Sequence, residues 1–189
     1  MILALDVGLS NTGYCVFENG KPQEWGVCTT SPVKKKTVRV ADDRADRSAS
    51  LARQIRAVVE KHGVTGIVGE LPSGGAQSAK AMGDMTQAVG IVAATAALLG
   101  IPAEWCTPTD VKKAATGKAS ASKEEIADAM AKKYGLEKVV KHTKESKKTG
   151  KRSRLLTYGG IAFGNFEHIA DAMAAYNALA GGILVTLAG

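Results

Sequence analysis

The segment LALDVGLSNTGYCVF, Leu3 to Phe17, sets the reading of the whole chain. Leu3, Ala4 and Leu5 form an apolar run that ends on a carboxylate, Asp6. Gly8 and Asn11 mark a turn, and Gly13 to Phe17 resumes an extended, alternating pattern. Desolvating a charge is costly, so a core strand that delivers a carboxylate to its end needs a partner for it. Val64 to Glu70 (VTGIVGE) is a second short apolar strand that ends on an acid. Adjacent and parallel, these strands bring Asp6 and Glu70 out at one end of a sheet, where open α/β sheets place their ligands.

The elements around these strands follow from periodicity and punctuation. Met1 to Asp6, Gly13 to Glu18 and Glu24 to Thr29 read as a meander, with Asn19-Gly20 as its second turn because both residues tolerate positive φ. Ser31 to Arg39, with Lys34, Lys35 and Lys36, reads as a loop. Asp42 to His62 reads as a helix: Leu51, Ile55, Val58 and Val59 share one face, and Gly63 stops it. Pro72 to Gly75 break the chain before a long Ala-, Gly- and Met-rich helix, Ser78 to Leu99. Ala103 to Cys106 is the last core strand, and Pro108 and Asp110 open a short helix. Ser122, with Glu125 at the capping-box position, starts a helix that runs to Tyr134. Asn165 is expected to cap the final helix, which stops at Gly181-Gly182 and leaves an apolar packed tail. The expectation is an α/β fold, a mixed five-stranded sheet with helices on both faces, in one domain over residues 1–189.

Composition narrows the class. A chain of 189 residues has room for a three-layer core, and 45% hydrophobic with 23% charged residues is ordinary for a soluble protein. No apolar run is expected to be long enough to span a bilayer, and the N-terminus lacks a signal-peptide pattern. Cys15, Cys28 and Cys106 are odd in number, lie in apolar settings and lack zinc-site spacing. Core thiols in a reducing cytoplasm, with no membrane partner, are the expectation.

The charge is unevenly spread. Lys138 to Arg154 (KVVKHTKESKKTGKRSR) holds eight Lys or Arg against one acid, Glu145, and so carries the chain's entire net charge of +7. Such a run is ordinarily a solvated loop. A basic stripe that holds all of a domain's excess charge is also what a phosphate backbone attracts.

The final helix completes a polar constellation. Ile169, Ala172, Met173, Tyr176 and Leu179 make its buried stripe, His168 and Asp171 share the adjoining edge, and Glu167 is rotated further toward solvent. Taken singly, an Asp before a glycine turn, a helical Asp and an edge His are unremarkable. Together, uncompensated acids would repel one another across a shared crevice. Mg²⁺ relieves that penalty, since it prefers carboxylate oxygens and keeps waters for substrate phosphates. Two such ions, roughly 3.5–4 Å apart, activate water and stabilise the leaving oxygen of a phosphodiester.

At this point LALDVGLSNTGYCVF resembles the first strand and hairpin of the RuvC Holliday-junction resolvases, in the RNase H-like superfamily. IVGELP resembles the strand that carries their second acid, and SAKAMGDMTQAVGIVAATAALLG the long helix after it. TPTDVKKAATGKASASKEEIADAM is similar to their lysine-bearing region, and HIADAMAAYNAL to their last catalytic helix. The resemblance implies an RNase H-like three-layer fold and a Mg²⁺-dependent endodeoxyribonuclease that nicks opposed strands of a four-way junction. It implies a homodimer and two Mg²⁺ ions per site, with Mn²⁺ able to substitute. Asp6 would bridge both metals, Glu70 and Asp171 would complete the carboxylate set, and His168 would ligate a metal or place the attacking water. Lys123 would lie near the scissile phosphate. Lys112, Lys113 and Lys118 would contact the DNA backbone. The insertion at about 138–164 would add Lys141, Lys144, Lys147, Lys148, Lys151, Arg152 and Arg154. Ala81, Met82, Met85 and Val89 could form the dimer interface or pack on the sheet.

Two features depart from the family pattern. Members commonly carry an aromatic just after the second acid, where this chain has ELPSGGAQ, and the basic insertion is long. These departures make a broader branched-DNA nuclease, acting on forks or flaps, the nearest alternative. An actin-like phosphotransferase shares the Asp-x-Gly turn but needs two lobes and a second glycine-rich phosphate motif. A DNA-binding protein without chemistry would have no need of four competent ligand positions. The short bacterial relatives linked to RNA processing generally lack the basic insertion.

Overall fold

A computed structural model of the chain describes residues 1–33, 37–71, 78–142 and 154–188. Lys34 to Lys36, Pro72 to Gly75 and, of the basic run, Lys144, Lys147, Lys148, Lys151 and Arg152 lie outside the described residues.

The chain opens with a meander of β1 (Ile2–Asp6), β2 (Asn11–Glu18) and β3 (Lys21–Thr29). Asn19 and Gly20 both take positive φ (49° and 76°), which a two-residue hairpin turn requires. The helix α1 (Val40–His62) leads to β4 (Gly66–Glu70), α2 (Ala79–Leu98) and β5 (Ala103–Cys106). The sheet order is β3-β2-β1-β4-β5, with β1 antiparallel to β2 and parallel to β4, so the expected mixed five-stranded sheet is present. Asp6 lies directly opposite Glu70 in the parallel register.

The alternation of strand side chains divides the core in two. Leu3, Leu5, Val16 and Ile67 pack with Leu51, Ile55, Val59 and Val92 of α1 and α2. Ile2, Ala4, Cys15, Phe17 and Val68 face the other layer. That layer holds α3 (Pro108–Thr116), α4 (Lys123–Lys133) and α5 (Phe163–Ala178). Period two therefore aims Asp6, two residues beyond Ala4, and Glu70, two beyond Val68, at the α5 layer. The three cysteines are free and buried, as core thiols.

Local punctuation behaves as read at several ends. Ser78 accepts a hydrogen bond from the Ala81 amide at the start of α2, and Ser122 and Glu125 form a complete capping box on α4. Gly63 ends α1 in the left-handed conformation. Other boundaries differ. α1 begins at Val40 and β2 at Asn11, each two residues early, and β3 at Lys21, three early. α5 begins at Phe163 with Ala162 as its uncapped N-cap residue, which places Asn165 inside the first turn. The tail folds back as a separate short helix, α6 (Ile183–Ala188), whose Val185 is buried.

Two corrections concern larger features. The basic run is not simply a loop: its ends form β6 (Lys138–His142) and β7 (Arg154–Tyr158), which join β8 (Ile161–Ala162) in a second, antiparallel sheet. The short apolar pairs Val139-Val140 and Leu155-Leu156 supply the strand character that the surrounding lysines obscure. Also, α2 is long and apolar enough to cross a membrane by length and composition, with mean hydropathy 1.2 over an 18-residue window. Lys80, Asp84, Thr86, Gln87 and Thr95 interrupt its apolar residues. It packs on α1, where Asp84 pairs with Arg44 at 2.5 Å.

Among the described glycines, the tightest approach is at Gly13. A Cβ built there would lie 2.1 Å from the backbone oxygen of His168, so only glycine lets α5 lie this low on β2. Gly13→Ala is therefore expected to lift α5 and to cost about 2–3 kcal/mol, as overpacking in a rigid core does, read as a lower urea midpoint without a change in slope.

Candidate functional site

The site lies at the carboxyl ends of β1 and β4, beneath α5. Asp6, Glu70 and Asp171 each offer an oxygen, and these oxygens all lie within 4.8 Å of one another. Two of the carboxylates are half-buried and Asp171 is buried, so water screens their repulsion poorly. Burial first, then the charges of Asp6 and Asp171, push Glu70 up to about 8. Asp171 is likewise raised above the usual carboxylate range, by burial and then by Asp6.

Two basic groups offset part of this charge. His168 Nδ1 is 2.7 Å from Asp6 Oδ2, and because a carboxylate only accepts, the ring donates from Nδ1. The bond to Asp6 holds the imidazole pKa above its ordinary value despite partial burial. Lys123 Nζ donates to Asp171 Oδ2 at 3.1 Å and stands 3.4 Å from Glu167 Oε2. Burial alone would lower the Lys123 pKa, but Asp171 and Asp6 together raise it. Three hard carboxylate oxygens this close, with one ammonium beside them, have the donor set that Mg²⁺ or Mn²⁺ takes.

The structure brings together Asp6, Glu70, Asp171, His168 and Lys123, all five residues singled out from sequence. His168 differs in detail, since it bonds to Asp6 and lies outside the three-oxygen group. Glu167, assigned to solvent by its helical angle, instead faces Lys123 with its side chain 24% exposed. No sequence signal placed α4 beside that edge of α5.

The lysines divide by setting. Lys112 is half-buried and close enough to oppose the rise in the Glu70 pKa, Lys113 is exposed, and Lys118 pairs with Glu125 at 3.7 Å. On the second sheet, Lys141 is exposed. Arg154, expected at the DNA, pairs with Glu124 of α4. Lys138 bonds Glu124 and Asp128 at 3.2 and 2.7 Å, and Tyr158 donates to Asp128 at 2.7 Å. The two ends of the basic run are thus neutralised at home. On α2, Met82 is 43% exposed, Ala81 and Met85 are half-buried, and Val89, also half-buried, packs against the core between the sheet and the α1–α2 layer.

The fold is shared with known resolvases. The structure titled "T. thermophilus RuvC in complex with Holliday junction substrate" aligns with a TM-score of 0.65 at 20% identity, over 95% of this chain and 92% of that one. The Thermus thermophilus RuvC structure aligns at 0.62 and 19% identity over the same shares. The yeast mitochondrial Holliday junction resolvase Ydc2 aligns at 0.52 and 15% identity, over 96% of this chain and 80% of that one. At these identities the likeness concerns the fold, and a search of curated proteins gives no match. The sequence itself matches the family model "Crossover junction endodeoxyribonuclease RuvC" over residues 2–146, which takes in β1 to β6 and both strand-end acids. On that match over most of its length, the chain belongs to the RuvC family of crossover junction endodeoxyribonucleases.

Proposed function

We propose that this protein resolves four-way DNA junctions by paired nicks, with Asp6, Glu70 and Asp171 as the ligands of divalent metal and His168 and Lys123 as their helpers. The observation that carries this reading is the convergence of three carboxylate oxygens within 4.8 Å at the rim of the sheet. Mg²⁺ bound there supplies water activation and neutralisation of a leaving oxygen, and Mn²⁺ meets the same requirements. Asp6 is the register partner of Glu70 and shares the cluster with Asp171, and would be the candidate to serve two ions. His168 fixes the Asp6 carboxylate from the side of α5. Lys123 reaches the pocket from α4, where its ammonium can meet phosphate oxygens.

Two opposed nicks require two sites, and a second copy of the chain supplies the other. The exposed face of α2, with Met82 and little charge, is the proposed contact. The junction is the first substrate to test because a protein of the same fold is described with one. Leu71, 38% exposed, stands just after Glu70, where family members commonly carry an aromatic wedge. That difference favours forks and flaps as additional substrates.

Asp6→Asn is expected to keep junction binding and to lower the cutting rate by at least about a hundredfold, the scale of losing one electrostatic element of a pre-organised site. Full cutting of labelled junctions by this variant in Mg²⁺ would overturn the assignment. Linkage gives a second expectation. A carboxyl whose folded pKa is raised contributes stability at low pH and loses it as pH rises from its unfolded value toward the folded one. Without metal, stability should therefore fall as pH rises from about 4.5 to about 8 on account of Glu70. Glu70→Gln should remove this fall and raise the metal-free Tm at pH 8 by roughly 4–8 °C, the effect of about 2 kcal/mol in a domain of this size. Mg²⁺ should stabilise wild type more at pH 8 than at pH 5. Third, replacing Lys141, Lys144, Lys147, Lys148, Lys151 and Arg152 by glutamine should flatten the salt dependence of junction binding by about 0.9 for each phosphate that is no longer neutralised. Replacing the internally paired Lys138 and Arg154 should lower stability and leave that slope nearly unchanged.

A further inference from the structure

Among the described residues five polar or charged side chains are buried: Thr12, Thr30, Arg47, Thr95 and Asp171. Asp171 belongs to the acidic site. Three of the other four, Thr12, Thr30 and Arg47, surround one short segment, the turn from Gly8 to Asn11 that follows Asp6. Thr12 Oγ1 donates to the Gly8 carbonyl at 2.7 Å and accepts from the Gly8 amide at 3.3 Å. Thr30 Oγ1 donates to the Leu9 carbonyl at 2.5 Å, and the Thr30 amide donates to the Ser10 carbonyl at 2.9 Å. Arg47, reaching in from α1, donates from Nε to Thr30 Oγ1 at 3.0 Å and from Nη2 to Ser10 Oγ at 2.7 Å. Its nearest acid, Asp43, is 4.0 Å away and also accepts from the Val33 amide.

Arg47 is only 7% exposed, so its charge bears a large desolvation cost that its hydrogen bonds must offset. Those bonds run to the turn and to the hydroxyl that holds the turn. The turn closes the β1–β2 hairpin at the end where Asp6 pairs with Gly13. Gly13 is also the residue beneath the His168 backbone. The turn therefore fixes the register at the one place where Asp6 and His168 must meet at 2.7 Å.

We propose that Arg47 is a positioning residue for the acidic site: through Thr30 and Ser10 it locks the β1–β2 turn and so holds the Asp6 carboxylate in its metal-binding aim. This inference rests on the metal reading of Asp6 proposed above. Arg47 touches neither substrate nor metal ligand. It acts from the helical layer opposite α5, so the hairpin end is clamped from both faces of the sheet.

The test is Mn²⁺ binding to the DNA-free 189-residue chain by calorimetry, together with steady-state cutting of a four-way junction. Arg47→Met and Thr30→Val should each weaken Mn²⁺ affinity about tenfold, the lower end for loss of an outer-shell support, and should lower kcat with KM for the junction unchanged. Ile55→Val trims the same core from α1 without any polar link to the turn, and should lose stability while keeping its Mn²⁺ affinity. Thr30→Val, close in shape, carries the test if Arg47→Met fails to fold. Wild-type Mn²⁺ affinity in the two variants, with Asp6-dependent binding intact in wild type, overturns this inference alone. Absence of any Asp6-dependent Mn²⁺ binding in wild type overturns the metal reading, and this inference with it.

Discussion

Where α5 crosses β2, the helix backbone comes within a distance that only a glycine permits, and most of what the site does follows from that approach. Ala170, Ala172, Ala174 and Ala175 are fully buried along α5, interspersed with the larger Phe166, Ile169, Met173 and Tyr176. A helix held this low can put His168 against Asp6 and Asp171 against the strand-end pair, although His168 and Asp6 are 162 positions apart in the chain. A helix one side-chain layer higher would leave the same residues out of reach of one another. Backbone packing sets the electrostatics here.

The electrostatics then run against stability. Burial and mutual repulsion raise Glu70 and Asp171 above the usual carboxylate range, and Lys123 offsets only part of the accumulated charge. The two apolar layers on either side of the sheet outweigh that repulsion. Perturbed carboxyls gathered in one place are what functional sites commonly show, because groups tuned for chemistry are seldom at their own lowest energy. Three carboxylate oxygens within 4.8 Å of one another could hold a divalent metal ion, which would relieve that repulsion.

Much of this site is legible in the chain because its parts are punctuated. Asp6 and Glu70 end short apolar strands, which states both their position and their direction, and a three-residue helical spacing puts His168 and Asp171 on one edge. Ser78, Ser122 and Gly63 announce helix ends because capping is a local matter. What escapes is tertiary. Gly13 reads as an ordinary turn-flanking glycine until a helix lies on it. Arg47 sits among exposed charges in α1, and only the fold buries it. The angle of Glu167 on a lone helix says nothing of the neighbouring α4. The second sheet is hidden by composition, since lysines at a run's ends look the same whether they face solvent, DNA or the acids of α4.

That second sheet has a consequence for how the molecule can vary. His142 and Arg154 are cross-strand partners, so the insertion leaves and re-enters the body at adjacent points. Its base is fastened to α4 through Glu124, Asp128 and Tyr158. The entropy of closing a loop grows only slowly with its length. Residues between two such adjacent strand ends can therefore change in number at little cost to the fold. A change of length or charge there leaves the strands and the α5 helix that carry Asp6, Glu70 and Asp171 as they are.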